Sequence, residues 1–235
     1  MRLLEICVDS LPGLEAAVTG GADRIELCSA LALGGLSPSV GMMRAAAGCG
    51  VPVLAMIRPR SGGFQWSGPE LAAMETEIAA VADAGLAGVV IGALEGPRLD
   101  MPAMRRLMRA AHGLDVTLHR CVDLVDDPLT AVDQAAELGL SRILTSGGAL
   151  RALDGVERLR AMQDHAGQRC AIMPGSGITP ATLPGLLAAL DPSEVHASAS
   201  VDVPSDPILH DMGFQHGAAR VTDAATVARM KALLG

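Results

Sequence analysis

Leu4-Glu5-Ile6-Cys7 returns twenty-one positions later as Ile25-Glu26-Leu27-Cys28. Both are β-type runs in which apolar residues alternate with a Glu and a Cys. Alternate residues of a strand share a face, so Glu5 and Cys7 point one way and Leu4, Ile6 and Val8 the other. Glu26 and Cys28 likewise lie opposite Ile25 and Leu27. If the two strands are neighbours in one sheet, two carboxylates and two thiols gather on one side of it.

The rest of the chain continues the alternation that these two strands begin. Further strand-like runs fall at 52–57, 88–92, 115–119, 141–145, 169–173 and 194–198. Helical stretches separate them. Ser37-Pro38, Asp127-Pro128 and Thr179-Pro180 read as N-caps followed by a first-turn proline, and Ser67 with Glu70 makes a capping box. Gly20-Gly21, Gly85, Gly113, Gly139 and Gly167 stop helices, because glycine accepts the left-handed conformation at a C-terminus. Eight strands alternating with eight helices imply parallel strands with crossover helices. The count, the length of 235 residues and the lack of a Gly-x-Gly-x-x-Gly after the first strand favour a closed barrel over an open doubly wound sheet. The expected fold is therefore α/β, a single (β/α)8 TIM-type barrel spanning 1–235 as one domain. Residues 200–221 show no clear periodicity.

Half the residues are hydrophobic and aromatics are nearly absent, so the core is aliphatic. A net charge of −8 argues against nucleic acid and against an anionic membrane surface. No run approaches the ~20 apolar residues of a membrane span, and Glu5 spoils a signal peptide. Five cysteines, an odd number without zinc-type Cys-x-x-Cys spacing, suit reduced thiols in a cytoplasm.

In such a barrel the inward residues near the C-terminal strand ends meet the active site. That rule gathers Glu5, Glu26, Arg58 and His119, with Asp123 in the following loop, as candidate catalytic residues, Glu5, Glu26 or His119 for acid–base work and Arg58 with Arg120 to hold an anion; Glu194 shares a face with His196 and Ser198. The competing reading is a structural ion-pair network, Glu5 or Glu26 with Arg58. A second signal lies after the seventh strand. Gly175-Ser176-Gly177 precedes the capped helix expected at Thr179, and backbone N–H groups with a helix N-terminus bind anions. Arg60, Arg120, His196 and Ser198 join that candidate anion site, whose bare Gly-x-Gly has a tight turn as its competing reading. Cys7 and Cys28, on strands ~4.8 Å apart, could grip one soft ion, and two thiolates with few other donors suit Cu(I). Spacing alone favours the plainer reading of buried small hydrophobes. His112 and His165 sit near helix C-termini, and His210 and His216 have no strand to position them.

Leu-Glu-Ile-Cys (4–7), Gly-Ala-Asp-Arg-Ile-Glu-Leu-Cys (21–28), Gly-Gly-Leu-Ser-Pro-Ser (34–39), Ile-Arg-Pro-Arg (57–60), Thr-Leu-His-Arg-Cys-Val-Asp (117–123), Leu-Thr-Ser-Gly (144–147) and Met-Pro-Gly-Ser-Gly-Ile (173–178) together resemble the CutC copper homeostasis family. The resemblance implies a cytoplasmic (β/α)8 barrel, often an oligomer, that handles copper as Cu(I), with the copper cysteines falling on Cys7 and Cys28. Two departures stand out: Ser61-Gly62-Gly63-Phe64 replaces Gly-Gly-Asp-Phe, and Cys121-Val122 replaces Ala-Phe. Two functions are therefore expected in competition. One is a copper homeostasis protein with a copper ion as partner, no nucleic acid, no membrane and a homo-oligomeric state. The other is an enzyme using acid–base chemistry on a small anionic metabolite, phosphorylated or not.

Overall fold

A computed structural model describes residues 2–215 and 217–235; His216 lies outside the described residues. Its centre is a barrel of eight parallel strands: β1 (Leu3–Val8), β2 (Arg24–Leu27), β3 (Val53–Met56), β4 (Gly88–Ile91), β5 (Asp115–Leu118), β6 (Arg142–Thr145), β7 (Ala171–Pro174) and β8 (Glu194–Ala197). Each strand from β1 to β6 pairs in parallel with its successor, and β8 pairs back onto β1. The eighth seam is packed but not laddered: β7 and β8 lie side by side without backbone pairing among the described residues. The barrel is thus nearly closed rather than fully closed. Pro174, at the end of β7, has no N–H to give to a ladder.

The register fixes what meets inside. Glu5 lies opposite both Arg24 and His196, and Cys7 opposite Glu26. Outward residues such as Leu4, Ile6, Ile25, Leu27, Val89 and Ile143 are fully buried against the helices in one aliphatic shell. The barrel interior is divided. On the β2–β4 side, Cys28, Leu54, Met56 and Val90 form a small apolar cluster. Around the rest, Glu5, Arg24, Glu26, Thr117, Arg142 and His196 are buried and polar.

The outer layer is α1 (Leu11–Thr19), α2 (Val40–Ala46), α3 (Gly68–Asp83), α4 (Met101–Ala110), α5 (Pro128–Leu138), α6 (Val156–Ala166), α7 (Leu183–Leu190) and α8 (Ala224–Leu234). The Ser67–Glu70 capping box and the Asp127 cap form as read from sequence. The helix expected at Thr179 does not begin there. Thr179 and Thr182 exchange side-chain-to-backbone hydrogen bonds in a turn, as hydroxyl residues do in competition with a helix, and α7 starts at Leu183. Within the aperiodic segment, Ser200–Val203 pairs antiparallel with Ala219–Thr222, and a short helix spans Pro207–Asp211. After it α8 packs on α1 and β1.

Candidate functional site

The interior is best followed from the floor upward. At the floor Arg24 donates to Glu5 and to Glu194. Arg142 donates to Glu194 at 3.1 Å, to Asp115 at 2.8 Å and to the Thr117 hydroxyl at 3.0 Å. Glu194 therefore bridges two arginines from β2 and β6, and Arg142 reaches across the unladdered side of the barrel. These pairings answer the desolvation cost of burying charge. Of this set Glu5, Glu194 and Thr117 fall on inward faces counted from sequence. Arg24 sits two residues before Glu26, Arg142 two before Leu144, and Asp115 two before Thr117, so period-two counting carried all three.

One layer higher, Glu5 Oε1 contacts His196 Nδ1 at 2.8 Å. Burial opposes the charge on Glu5, but the His196 hydrogen bond and the Arg24 cation outweigh it and hold the carboxyl well below the usual range. Burial also opposes charge on His196, yet Glu26 and Cys7 beside it push its pKa well above that of a free imidazole. His196 Nε2 lies 3.8 Å from Glu26 Oε2, and the Cys28 thiol donates to the same oxygen at 3.5 Å. Burial raises the pKa of Glu26, and burial with Glu26 nearby drives that of Cys28 well up. Glu26 Oε1 has no hydrogen-bond partner among the described residues. Cys7, Glu26 and His196 each present a donor atom, and the three atoms lie within 4.8 Å of one another.

The layer opens into a cavity of about 800 Å³ at the C-terminal mouth, a volume typical of small-molecule sites. Cys7, Glu26 and His196 line its floor; His119, Phe64 and Arg120 line one wall; Ser176–Pro180 and Ala197–Ser200 line another. His119 Nδ1 accepts the Cys121 N–H at 3.2 Å, so the ring proton sits on Nε2, and Nε2 has no partner among the described residues. Burial and the nearby Arg58 cation lower the His119 pKa to about 3, keeping it neutral. Gly92 makes room for that ring: a Cβ there would stand 2.4 Å from His119 Cε1. Opposite, Ser176 and Ala199 adopt φ of +81° and +45°, unusual for residues other than glycine, and Gly177 adopts +69°. The amide N–H groups of Ser176, Gly177 and Ile178 find no acceptor among the described residues.

The other expected site residues are placed differently. Arg58 donates to the carbonyls of Leu33, Gly35 and Gly62, tying the loops after β2 and β3 rather than lining the cavity. Arg60 pairs with Glu70 and stacks over Trp66 at 4.8 Å, turned outward. Asp123 accepts from Thr145, Ser146, Gly148 and Arg120, and so latches two loops. Gly175 packs tightly: a Cβ there would meet Leu144 at 2.5 Å. Ser198 reaches the cavity, with its hydroxyl 2.9 Å from that of Ser200. Cys28 is fully buried among Leu54, Met56 and Val90, whereas Cys7 lines the cavity.

Comparison with known proteins adds the following. A family model described as the CutC family matches residues 2–201. A CutC family protein of Sinorhizobium medicae is 51% identical over 234 residues, covering 99% of this chain and 96% of that relative. A crystal structure from Streptococcus agalactiae, named there a copper homeostasis protein CutC, superposes with a TM-score of 0.80 at 29% identity, covering 84% of this chain and 99% of the other. A phosphoribosylanthranilate isomerase of Thermotoga maritima gives a TM-score of 0.61 at 13% identity, covering 100% of this chain and 98% of the other, which shows the shared barrel alone.

Proposed function

The chain belongs to the CutC family, and from that premise we propose that it takes a copper ion as cargo, as Cu(I), at the cavity floor through Cys7 and His196, with Glu26 beside them. The observation that carries this is the convergence of the Cys7, Glu26 and His196 donor atoms within 4.8 Å, one of whose carboxylate oxygens is buried and unpartnered. A thiol and an imidazole suit Cu(I), and a buried carboxylate oxygen without a partner is satisfied by a cation. Glu5, bonded to His196 Nδ1, would orient the imidazole as carboxylates do behind metal-bound histidines. Cys28, the other thiol expected to hold copper, would need to lose its proton against burial and against Glu26. In this proposal it therefore contributes less than Cys7.

We place this binding in the cytoplasm, which five unpaired cysteines support. Among the described residues no helix is long and apolar enough to cross a membrane. Self-association belongs to the same proposal. It is supported by the exposed apolar side chains of Ile208, Met212 and Phe214.

The test is Cu(I) affinity under reducing conditions. Cys7→Ser and His196→Asn should each weaken binding at least tenfold, with Cys28→Ser having a smaller effect. Unchanged affinity in the Cys7 and His196 variants ends the proposal.

The cavity itself favours a second reading, an enzyme acting on a small anionic metabolite. An ion needs a few donors, not about 800 Å³.

A further inference from the structure

Among the described residues, two side chains that line the cavity each bury a polar atom without a partner, and the two atoms are of opposite kinds. His119 Nε2 is a donor, since Nδ1 is engaged by the Cys121 N–H, and Glu26 Oε1 is an acceptor. Their residues are 3% exposed each, so bulk water does not satisfy them. Leaving such groups unpaired in the interior is costly, and a ligand carrying the complementary groups would recover that cost. The N–H groups of Ser176, Gly177 and Ile178, which have no acceptor among the described residues, belong to a loop that lines the same cavity and in which Ser176 and Gly177 take positive φ. Successive free amides in such a turn can bind anions.

We infer that the cavity binds a short phosphorylated hydroxycarbonyl compound and moves the proton on the carbon beside its carbonyl. The phosphate sits on the amides of 176–178, the carbonyl oxygen accepts from His119 Nε2, and the Glu26 carboxylate takes the proton. This deepens the small-anion reading and rests on it. In the step, the C–H electron pair forms a carbon–carbon double bond. The carbonyl π pair moves onto oxygen, where the neutral His119 stabilises the charge by donating. Glu26 then returns the proton to the same carbon, restoring the carbonyl, or to the neighbouring carbon once the hydroxyl proton has passed to the enolate oxygen, so no oxidant, reductant or second substrate is needed. A neutral imidazole suits this task because it donates one hydrogen bond without bringing a second charge into the site. Burial and Arg58 keep His119 neutral at physiological pH. Gly92 is the residue that lets the ring occupy this position.

The experiment follows loss of the α-proton signal of dihydroxyacetone phosphate in D₂O by NMR. Phosphate-free dihydroxyacetone is run in parallel, with the full-length protein free of copper. The parent should exchange the phosphorylated probe well above the buffer rate and the phosphate-free probe far more slowly. Glu26→Gln should lose about 100-fold or more, the scale of general-base catalysis. His119→Phe should lose a comparable factor, while His119→Gln, which keeps an N–H donor, should retain part of the rate. A parent rate equal to buffer, or an exchange rate unchanged in both the Glu26→Gln and His119→Phe proteins, overturns the inference. Thermal shift with inorganic phosphate separates the two levels. If phosphate stabilises the parent but no exchange occurs, the proton-transfer inference falls and the small-anion reading stands. If phosphate has no effect at millimolar levels and no exchange occurs, both fall.

Discussion

Arg24 and Arg142 at the barrel floor donate to Glu5, Glu194, Asp115 and Thr117. A layer or two higher, Glu26 and His119 are buried to the same degree, yet each keeps one polar atom with no partner. Burial and residue type are alike in the two regions, and only the completeness of the pairing differs. A finished network holds strands together, here across the one seam that lacks a backbone ladder. An unfinished one leaves free energy for something that arrives from outside. The two histidines repeat the contrast: His196, between Glu5 and Glu26, is pushed towards the charged form, whereas His119, beside Arg58, is pushed away from it.

The largest expected effect tests the floor. Arg24→Met leaves Glu5 and Glu194 without their shared cation, and removing one partner of a buried pair costs about 3–5 kcal/mol. Urea unfolding should show that loss, and an undiminished midpoint would mean that the floor is no more a scaffold than the mouth. Less is expected at the crowded wall of the mouth. Gly92→Ala forces the His119 ring to move, at the about 1–3 kcal/mol typical of overpacking. It should also lower the α-proton exchange rate; retention of both stability and exchange would contradict the tight seating of that ring.

The pH dependence sharpens the histidine contrast. The folded His119 pKa of about 3 lies below the 6.5 of an unconstrained imidazole, so the unfolded chain binds the proton first as pH falls. Stability from neutral His119 is therefore fully present above pH 6.5 and declines towards pH 3, with a slope of up to about 1.4 kcal/mol per unit. A His119→Gln protein should show a flatter acid limb in urea titrations at successive pH values. Identical limbs would mean that His119 is not held neutral. The smallest effect is predicted for Arg60→Ala. Its ion pair with Glu70 is partly exposed and its stacking on Trp66 is superficial, so the loss should stay near or below about 1 kcal/mol. Phosphate and copper responses should be unchanged. A large ligand effect there would bring back Arg60 as part of the mouth.

Much of this molecule was legible in the sequence because it is written locally. The alternation of β and α periods gave the barrel. The period of two placed Glu5, Cys7, Glu26, His119 and His196 on inward faces, and caps such as Ser67–Glu70 marked helix starts. Motif similarity gave the family. The same counting would have reached Arg24, Arg142 and Asp115, but nothing local says that Arg24 meets Glu194, 170 residues away. Only the closed register decided which charges neutralise each other and which remain unfinished. It placed Cys7 with His196 and Glu26, buried Cys28 under Leu54 and Met56, and gave Arg58, Arg60 and Asp123 partners in the surrounding loops. The physical reason is that strand direction fixes which face a side chain takes, whereas its partner depends on strand stagger and loop path. Those are set by packing of the whole aliphatic shell and not by any stretch of the chain alone.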